Sequence, residues 1–142
     1  PRFPRGRWSI QKRRPDTGDA NDGSLIMKLS FGRRHFLLPG DITESSERRL
    51  VQSAVDLRSD LLFVPHHGGL HSSTMSFLRK VRPEMAVISC GAENVFHFPH
   101  ADVLKRLESL NVRVYQTDRD GAVTVLTDGD VLQTHVFRTH AP

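Results

Sequence analysis

Two adjacent histidines directly follow a short apolar segment that is typical of a buried strand. Residues 61–64 predict that strand, and Pro65 favours its end because proline fixes φ and lacks a backbone donor. His66 and His67 come next, and the two glycines after them would let the chain bend closely around an ion. Neutral histidine is the commonest metal ligand, whereas a lone His-His pair more often belongs to a turn before a helix.

A carboxylate follows a second predicted strand in the same way. Residues 36–38 are apolar, run into Gly40 and lead to Asp41. If the two strands are neighbours in one sheet, Asp41 should converge with His66 and His67 at the sheet edge. An aspartate and a histidine at adjacent strand ends fit a zinc or manganese site. Taken alone, Asp41 would more often be an acidic residue before a helix.

Length and composition predict one globular domain. The chain has 142 residues, of which 25% are charged and 37% hydrophobic, which is long enough to bury a core. Its longest apolar runs are a few residues, so the sequence predicts no membrane-spanning helix within this chain. The single cysteine, Cys90, excludes an intramolecular disulfide, and its apolar surroundings favour a buried, unreactive thiol.

The positive charge of the chain is local. Residues 1–14 carry +6 and the whole chain carries +4, so the remainder carries −2. Because Phe3 and Trp8 are interleaved with arginines, this segment could contact a polyanion. The interpretation that we favour is a basic linker or torn domain edge over residues 1–20.

Hydrophobic periodicity from residue 24 onward predicts alternating strands and helices. The predicted strands span residues 25–29, 35–38, 61–64, 85–89, 112–115, 121–126 and 131–137, and the predicted helices span residues 43–54, 75–81 and 101–110. Ser72 and Ser73 are expected to cap the second helix. The order ββαβαβαβββ predicts an α/β layer architecture, a mixed sheet with helices on one face.

Short motifs between residues 21 and 129, taken together and in order, resemble one known family. They are Asn21-Asp-Gly-Ser-Leu25, Phe36-Leu-Leu-Pro-Gly-Asp41, Val64-Pro-His-His-Gly68, Val87-Ile-Ser89, Asn94-x-Phe96, Phe98-Pro-His100, Val103-Leu104 and Thr117-Asp118. The set is similar to the C-terminal metallo-β-lactamase-like domain of ComEC-type DNA-internalisation (competence) proteins. That fold is an αββα sandwich with its metal site at one edge of the two sheets. The His-x-His-x-Asp-His motif of the family's first half does not occur here, so residues 21–142 resemble the second half only.

The resemblance implies a metal-dependent hydrolase that uses zinc or manganese and cleaves DNA phosphodiesters of the strand that is not imported. Asp41 would be a ligand, together with one of His66 and His67. His67 is preferred because the ligand in related folds directly precedes the glycine. Asp41 and His67 would then be the catalytic residues. Without the motif of the first half, this chain alone is expected to be inactive.

The resemblance also implies partners and a location. The partners would be incoming, transforming DNA, the N-terminal half of the same domain, and the membrane-embedded channel of the parent protein. The domain would be a soluble part of an integral inner or plasma membrane protein, outside the cytoplasm.

Two alternatives to this function remain open. They are another metallo-β-lactamase-fold hydrolase, such as a phosphocholine esterase-like enzyme, and a non-catalytic binding or structural module.

Five further polar residues are candidates for substrate binding, and each has an ordinary structural explanation. His71, Ser72 and Ser73 could bind phosphate at a helix N-terminus or simply belong to its cap. Asn94 could bind substrate or stabilise the loop that contains it. His100 could line the site, as the family pattern suggests, or neighbour the N-cap of the third helix.

Overall fold

The computed structural model describes residues 8–13, 21 and 23–137 of the chain. In that part the strands are β1 (Trp8–Arg13), β2 (Ile26–Phe31), β3 (Arg34–Leu38), β4 (Leu61–Phe63), β5 (Met85–Ile88), β6 (Arg113–Gln116), β7 (Ala122–Thr127) and β8 (Leu132–Phe137). The helices are α1 (Glu44–Gln52), α2 (Met75–Val81), α3 (Ala101–Ser109) and α4 (Thr117–Asp120), and a 3-10 turn spans Pro65–Gly68. None of the helices in the described ranges is long and apolar enough to cross a membrane.

Strands β1 to β6 form one six-stranded sheet in chain order. The first three strands are antiparallel, and β3, β4, β5 and β6 are parallel. Helices α1, α2 and α3 are the crossovers that parallel neighbours need. The prediction of a mixed α/β sheet is therefore confirmed. Strands β7 and β8 pair with each other as a separate hairpin.

The two faces of the sheet are covered by different elements. The larger core joins one sheet face to α1, α2 and α3, with members such as Leu62, Leu78 and Leu107. On the opposite face, Met85 and Val87 pack with side chains of the β7–β8 hairpin. Because β5 is covered on both faces, all four of its residues are buried, as is usual for a parallel strand.

Strand β1 was not predicted. The segment was interpreted as part of a linker over residues 1–20, and most of that range lies outside the described residues. Only Trp8 and Ile10 are apolar in β1, an alternation too short to mark a strand. Backbone pairing with β2, which sets Ile10 opposite Leu29, defines the strand instead.

The other boundaries agree with prediction to within one or two residues, which is the usual uncertainty of helix and strand ends. Two differences have a local cause. Helix α1 ends at Gln52 rather than residue 54 because Ser53 is extended, with φ −77° and ψ 159°. Residues 117–120, which lie between two predicted strands, form the single turn of α4.

The prediction that Ser72 or Ser73 caps α2 is wrong, because Thr74 is the N-cap. The Thr74 side chain accepts a hydrogen bond from the amide of Phe77 at 3.4 Å. Ser73 has a φ of +55° and belongs to the turn before the helix. Ser72 is used within that turn, where its hydroxyl donates to the carbonyl of Gly69 at 2.9 Å.

A buried carboxylate holds this turn in place. Glu47 on α1 has no exposed surface, and it accepts hydrogen bonds from the amide of Ser73 and from the amide and hydroxyl of Thr74. From α3, the guanidinium of Arg106 donates to the carbonyls of Ser72 and Ser73 at 3.1 and 2.9 Å. Burial raises the pKa of Glu47 above its ordinary value, against the opposing effect of these hydrogen bonds and of Arg106.

We expect Glu47→Gln to lower the free energy of unfolding by about 1–3 kcal/mol, because an amide NH2 cannot accept the hydrogen bonds that one carboxylate oxygen accepts. A raised folded-state pKa means that the folded protein binds this proton more tightly than the unfolded chain. The contribution of Glu47 to stability therefore falls as the pH rises from the ordinary pKa of glutamate through the raised pKa.

The difference in stability between wild type and Glu47→Gln should accordingly be larger near pH 5 than near pH 8. Urea unfolding across that pH range measures it, and Glu44→Gln, an exposed acidic residue on the same helix, is the matched control. A difference that widens with rising pH would contradict the raised pKa.

Candidate functional site

The carboxyl ends of the four parallel strands meet at one edge of the sheet and bring polar residues together there. Asp41 comes soon after β3, the two histidines follow β4, Cys90 follows β5, and Asp118 follows β6. A cleft of about 420 Å³ opens at this edge. Its lining residues are Asp41, His66, His67, Cys90, Gly91, Asn94, Phe96 and Phe98.

The chain after β4 turns sharply in the left-handed region. His66 and His67 have φ values of +50° and +53°, and the amide of Gly69 donates to the carbonyl of His66 at 2.9 Å. Both following glycines are sterically required. A Cβ on Gly68, which has a φ of +79°, would lie 2.7 Å from Pro99, and a Cβ on Gly69 would lie 2.7 Å from the His66 ring.

Asp41 and His67 form the polar centre of the cleft. The Nε2 atom of His67 lies 3.8 Å from Oδ1 of Asp41, and both side chains are about half exposed. The expectation that Asp41 and the histidine pair lie at the same sheet edge, with an imidazole nitrogen close to a carboxylate oxygen, is confirmed. The Nδ1 atom of His67 lies 2.7 Å from the carbonyl oxygen of Ser89. Since a carbonyl can only accept, Nδ1 carries a proton, and in the neutral form of the ring the lone pair is therefore on Nε2, the nitrogen nearer Asp41.

This pair has the chemistry of a partial metal site. Two ligands at ~2.1 Å from one zinc or manganese ion are at most about 4.2 Å apart, so the observed 3.8 Å separation is compatible with one shared ion. A histidine whose other nitrogen donates to a backbone carbonyl is the usual arrangement at metal sites. Within the described ranges, no group of three or more His, Cys, Asp or Glu side chains is placed to hold an ion. The pair therefore fits part of a ligand set.

His66 is placed differently from its neighbour. Its ring meets Phe98 edge-on, with ring centroids 5.6 Å apart and an interplanar angle of 65°. Its Nδ1 atom is buried and has no hydrogen-bond partner among the described residues. His67, the residue preferred from the sequence, is thus the histidine that forms a close polar pair with Asp41.

Of the five residues predicted to bind substrate, the structure brings only Asn94 to the cleft. Within the described part of the chain, His71, Ser72, Ser73 and His100 are not among the lining residues. Both serines are fully buried within the turn before α2. His100 is itself the N-cap of α3, where its Nδ1 accepts from the amide of Asp102 at 3.2 Å.

Asn94 shapes the loop that forms one wall of the cleft. Its side-chain amide donates to the carbonyls of Gly91 and Phe98 at 2.9 and 2.8 Å, and its Oδ1 accepts from the amide of Phe98 at 2.9 Å. The predicted alternative that Asn94 stabilises its own loop is therefore confirmed.

Cys90 lines the cleft and is only half-buried, so the prediction of a buried thiol is wrong in its degree of burial. Burial and the hydrogen bond from its Sγ to Asp118, at 3.2 Å, both raise the pKa of the thiol. The thiol is therefore protonated at neutral pH, which agrees with the predicted lack of reactivity.

Sequence reasoning did not assign a role to the two phenylalanines of the cleft. Phe96 and Phe98 were noted only as members of motifs. Their placement depends on the conformation of the loop, which the sequence pattern does not describe.

The molecule is an α/β protein with a histidine–aspartate pair at the carboxyl edge of its parallel strands, and no known protein-family profile matches it. It is 32% identical over 109 residues to ComE operon protein 3 of Bacillus subtilis, covering 77% of this chain and 14% of that protein. It is 33% identical over 119 residues to Recombination protein 2 of Haemophilus influenzae, covering 84% and 15%. It is also 33% identical over 106 residues to Competence protein ComA of Neisseria gonorrhoeae, covering 74% and 15%.

These similarities support a relationship to a family of competence-type DNA-uptake proteins. The chain spans about one seventh of the length of each of these relatives.

The hydrogen bond to Ser89 predicts which tautomer His67 adopts. In its neutral form, His67 should carry its proton on Nδ1, and nitrogen chemical shifts of histidine-labelled protein measure this directly. Asp41→Asn should leave the tautomer unchanged, because the backbone carbonyl of Ser89 determines it. A neutral His67 protonated on Nε2 would show that this nitrogen is not available as a ligand.

Proposed function

We propose that this chain is part of a metal-dependent hydrolase domain of a competence protein, with a metallo-β-lactamase-like fold, and that the domain cleaves DNA phosphodiesters. The observation that carries the proposal is the 3.8 Å pair between His67 and Asp41, with His67 oriented by Ser89. The names of the relatives support the competence setting. The mixed sheet and its edge site are compatible with the second half of an αββα sandwich.

The charge of the site favours a cation as cofactor. DNA carries one negative charge per phosphate, and a phosphodiester that entered the cleft would meet the half-exposed carboxylate of Asp41. The negative phosphate and the negative carboxylate would repel each other, so a positive ion between them is needed for close approach. Asp41 supplies an anionic oxygen and His67 a neutral nitrogen, a donor pair that suits zinc or manganese. When bound, such an ion would lower the pKa of a bound water and polarise the phosphoryl group.

The chain's own residues would orient the reaction. The carbonyl of Ser89 holds the proton of His67 on Nδ1, which directs Nε2 into the cleft. The two glycines that follow the histidines leave room for this turn to pack against Pro99 and the His66 ring. The remaining donors of a complete site would come from the N-terminal half of the same domain.

The proposal extends to substrate and setting. The substrate would be incoming, transforming DNA, of which the strand that is not imported is degraded. The domain would work outside the cytoplasm, beside the membrane-embedded channel of the parent protein.

The test is Asp41→Asn in the full-length protein, with DNA hydrolysis measured in the presence of zinc or manganese. The substitution keeps the shape of the side chain and removes its charge. We expect a loss greater than the ~10–100-fold that follows removal of an outer partner of a metal ligand. Calorimetric titration should show weaker metal binding in the same variant.

Glu108→Gln is the matched control, because it removes an exposed carboxylate from α3, away from the lining of the cleft. It should hydrolyse DNA at the wild-type rate. Wild-type cleavage by Asp41→Asn would refute the proposed role of Asp41. DNA binding without hydrolysis by the wild-type protein would indicate a binding module, and hydrolysis of a phosphocholine ester in place of DNA would indicate the other enzyme class.

A further inference from the structure

A stack of three rings extends from the histidine–aspartate pair towards solvent. The ring of His67 is nearly parallel to that of Phe98, with centroids 6.5 Å apart and an interplanar angle of 15°. The ring of Phe98 is in turn nearly parallel to that of Phe96, at 5.6 Å and 21°. These values are typical of offset-stacked aromatic rings. All three rings line the cleft that also contains Asp41.

Phe96 forms the outer end of this stack and is 71% exposed. The loop that carries it is internally braced, since Asn94 makes side-chain hydrogen bonds to Gly91 and Phe98. The amide of His97 also donates to the carbonyl of Asn94 at 3.0 Å. The ring is therefore presented to solvent in a defined orientation. Together with Phe98, this ring forms a contiguous apolar surface in the cleft, which is a feature of binding sites.

The exposed face of the Phe96 ring favours one class of ligand. Bases of single-stranded nucleic acid stack on aromatic side chains, and this stacking tolerates any sequence because every base has a π face. A base within a duplex is already stacked on its neighbours and cannot lie on Phe96. An unpaired base on Phe96 would lie at the far end of the stack from His67, so a neighbouring part of the same strand, rather than the phosphodiester of that base, would reach Asp41 and His67.

We propose that Phe96 is a stacking platform for an unpaired nucleobase, and that the site acts on single-stranded DNA whose strand continues from that base towards Asp41 and His67. This inference rests on the proposed hydrolase function and adds the form of the substrate and the residue that selects it. Phe98 supports the platform from below and connects it to His67. Stacking is not base-specific, so the platform should favour unpaired over paired DNA with little sequence preference.

The test uses the full-length protein in an Asp41→Asn background, so that binding is measured without cleavage and without the repelling charge of Asp41. A short single-stranded oligonucleotide carrying 2-aminopurine serves as the probe, because stacking quenches the fluorescence of that base. Phe96→Ala should weaken binding about tenfold or more and relieve the quenching. Phe96→Trp should retain both, whereas Phe96→Leu, which is apolar but has no ring, should lose both.

Two controls separate stacking from other contacts. Val95→Ala truncates the neighbouring side chain, which is 81% exposed and does not line the cleft, and it should bind like wild type. An abasic backbone of the same length should bind equally to wild type and Phe96→Ala, because it offers no base. Circular dichroism should show unchanged folding for all variants, since both side chains lie at the surface.

Several results would overturn the platform. Undiminished binding by Phe96→Ala would do so. Phe96→Ala losing as much affinity for the abasic strand as for the strand with bases would do so as well. Full retention of binding and quenching by Phe96→Leu would show that an aromatic ring is not required. Hydrolysis that depends on Asp41 but is unaffected by Phe96→Ala on single-stranded DNA would leave the hydrolase proposal intact and remove the platform alone. If the wild-type protein quenches the probe but does not hydrolyse DNA, the platform stands and the hydrolase proposal is refuted.

Discussion

The parallel alignment of β3 to β6 is the constraint on which the site depends. The register sets Phe36 beside Leu61, Leu61 beside Met85, and Met85 beside Arg113, so these strands run side by side in the same direction. Their carboxyl ends therefore lie along one edge, which is where open α/β sheets bind ligands. Residues that are far apart in the sequence become neighbours for this reason alone.

One backbone hydrogen bond sets the spacing within the polar pair. The amide of His66 donates to the carbonyl of Gly40 at 3.2 Å, and these residues directly precede His67 and Asp41. The same turn holds two histidines at positive φ, a conformation that costs of order 1–3 kcal/mol per non-glycine residue. The glycine carbonyl and the contact of the His66 ring with Phe98 stabilise the strained backbone. Both strained histidines line the cleft.

Sequence patterns predicted the parts of the fold in which apolar periodicity and side-chain burial agree. The parallel strands and the three crossover helices follow apolar runs and were predicted, and the Gly-Asp and His-His-Gly-Gly motifs located the polar pair. Glu47 was missed because a glutamate on a helix is usually exposed. Its position one turn before Leu50, on the apolar face of α1, was the available signal. The N-cap was assigned to the serines because only the observed backbone shows that Thr74, rather than Ser73, is extended before α2.

The role of the aromatic residues could not be predicted, because it depends on a loop conformation that no periodicity describes. The side chain of Asn94 hydrogen-bonds to its own loop. The resulting loop conformation places the rings of Phe96 and Phe98 in line with His67.

His67 belongs to both parts of the cleft, and the geometry of an imidazole explains how this is possible. The lone pair of Nε2 lies in the plane of the ring, whereas the π faces lie above and below that plane. The ring can therefore direct an edge towards Asp41 while one face stacks on Phe98. The Ser89 carbonyl fixes the in-plane direction through Nδ1, and in doing so it also fixes the plane in which the stack continues. Rotating the ring about its Cβ–Cγ bond would break the polar pair and tilt the stacked face in the same movement. The orientation of this one side chain therefore determines both the polar pair and the aromatic stack.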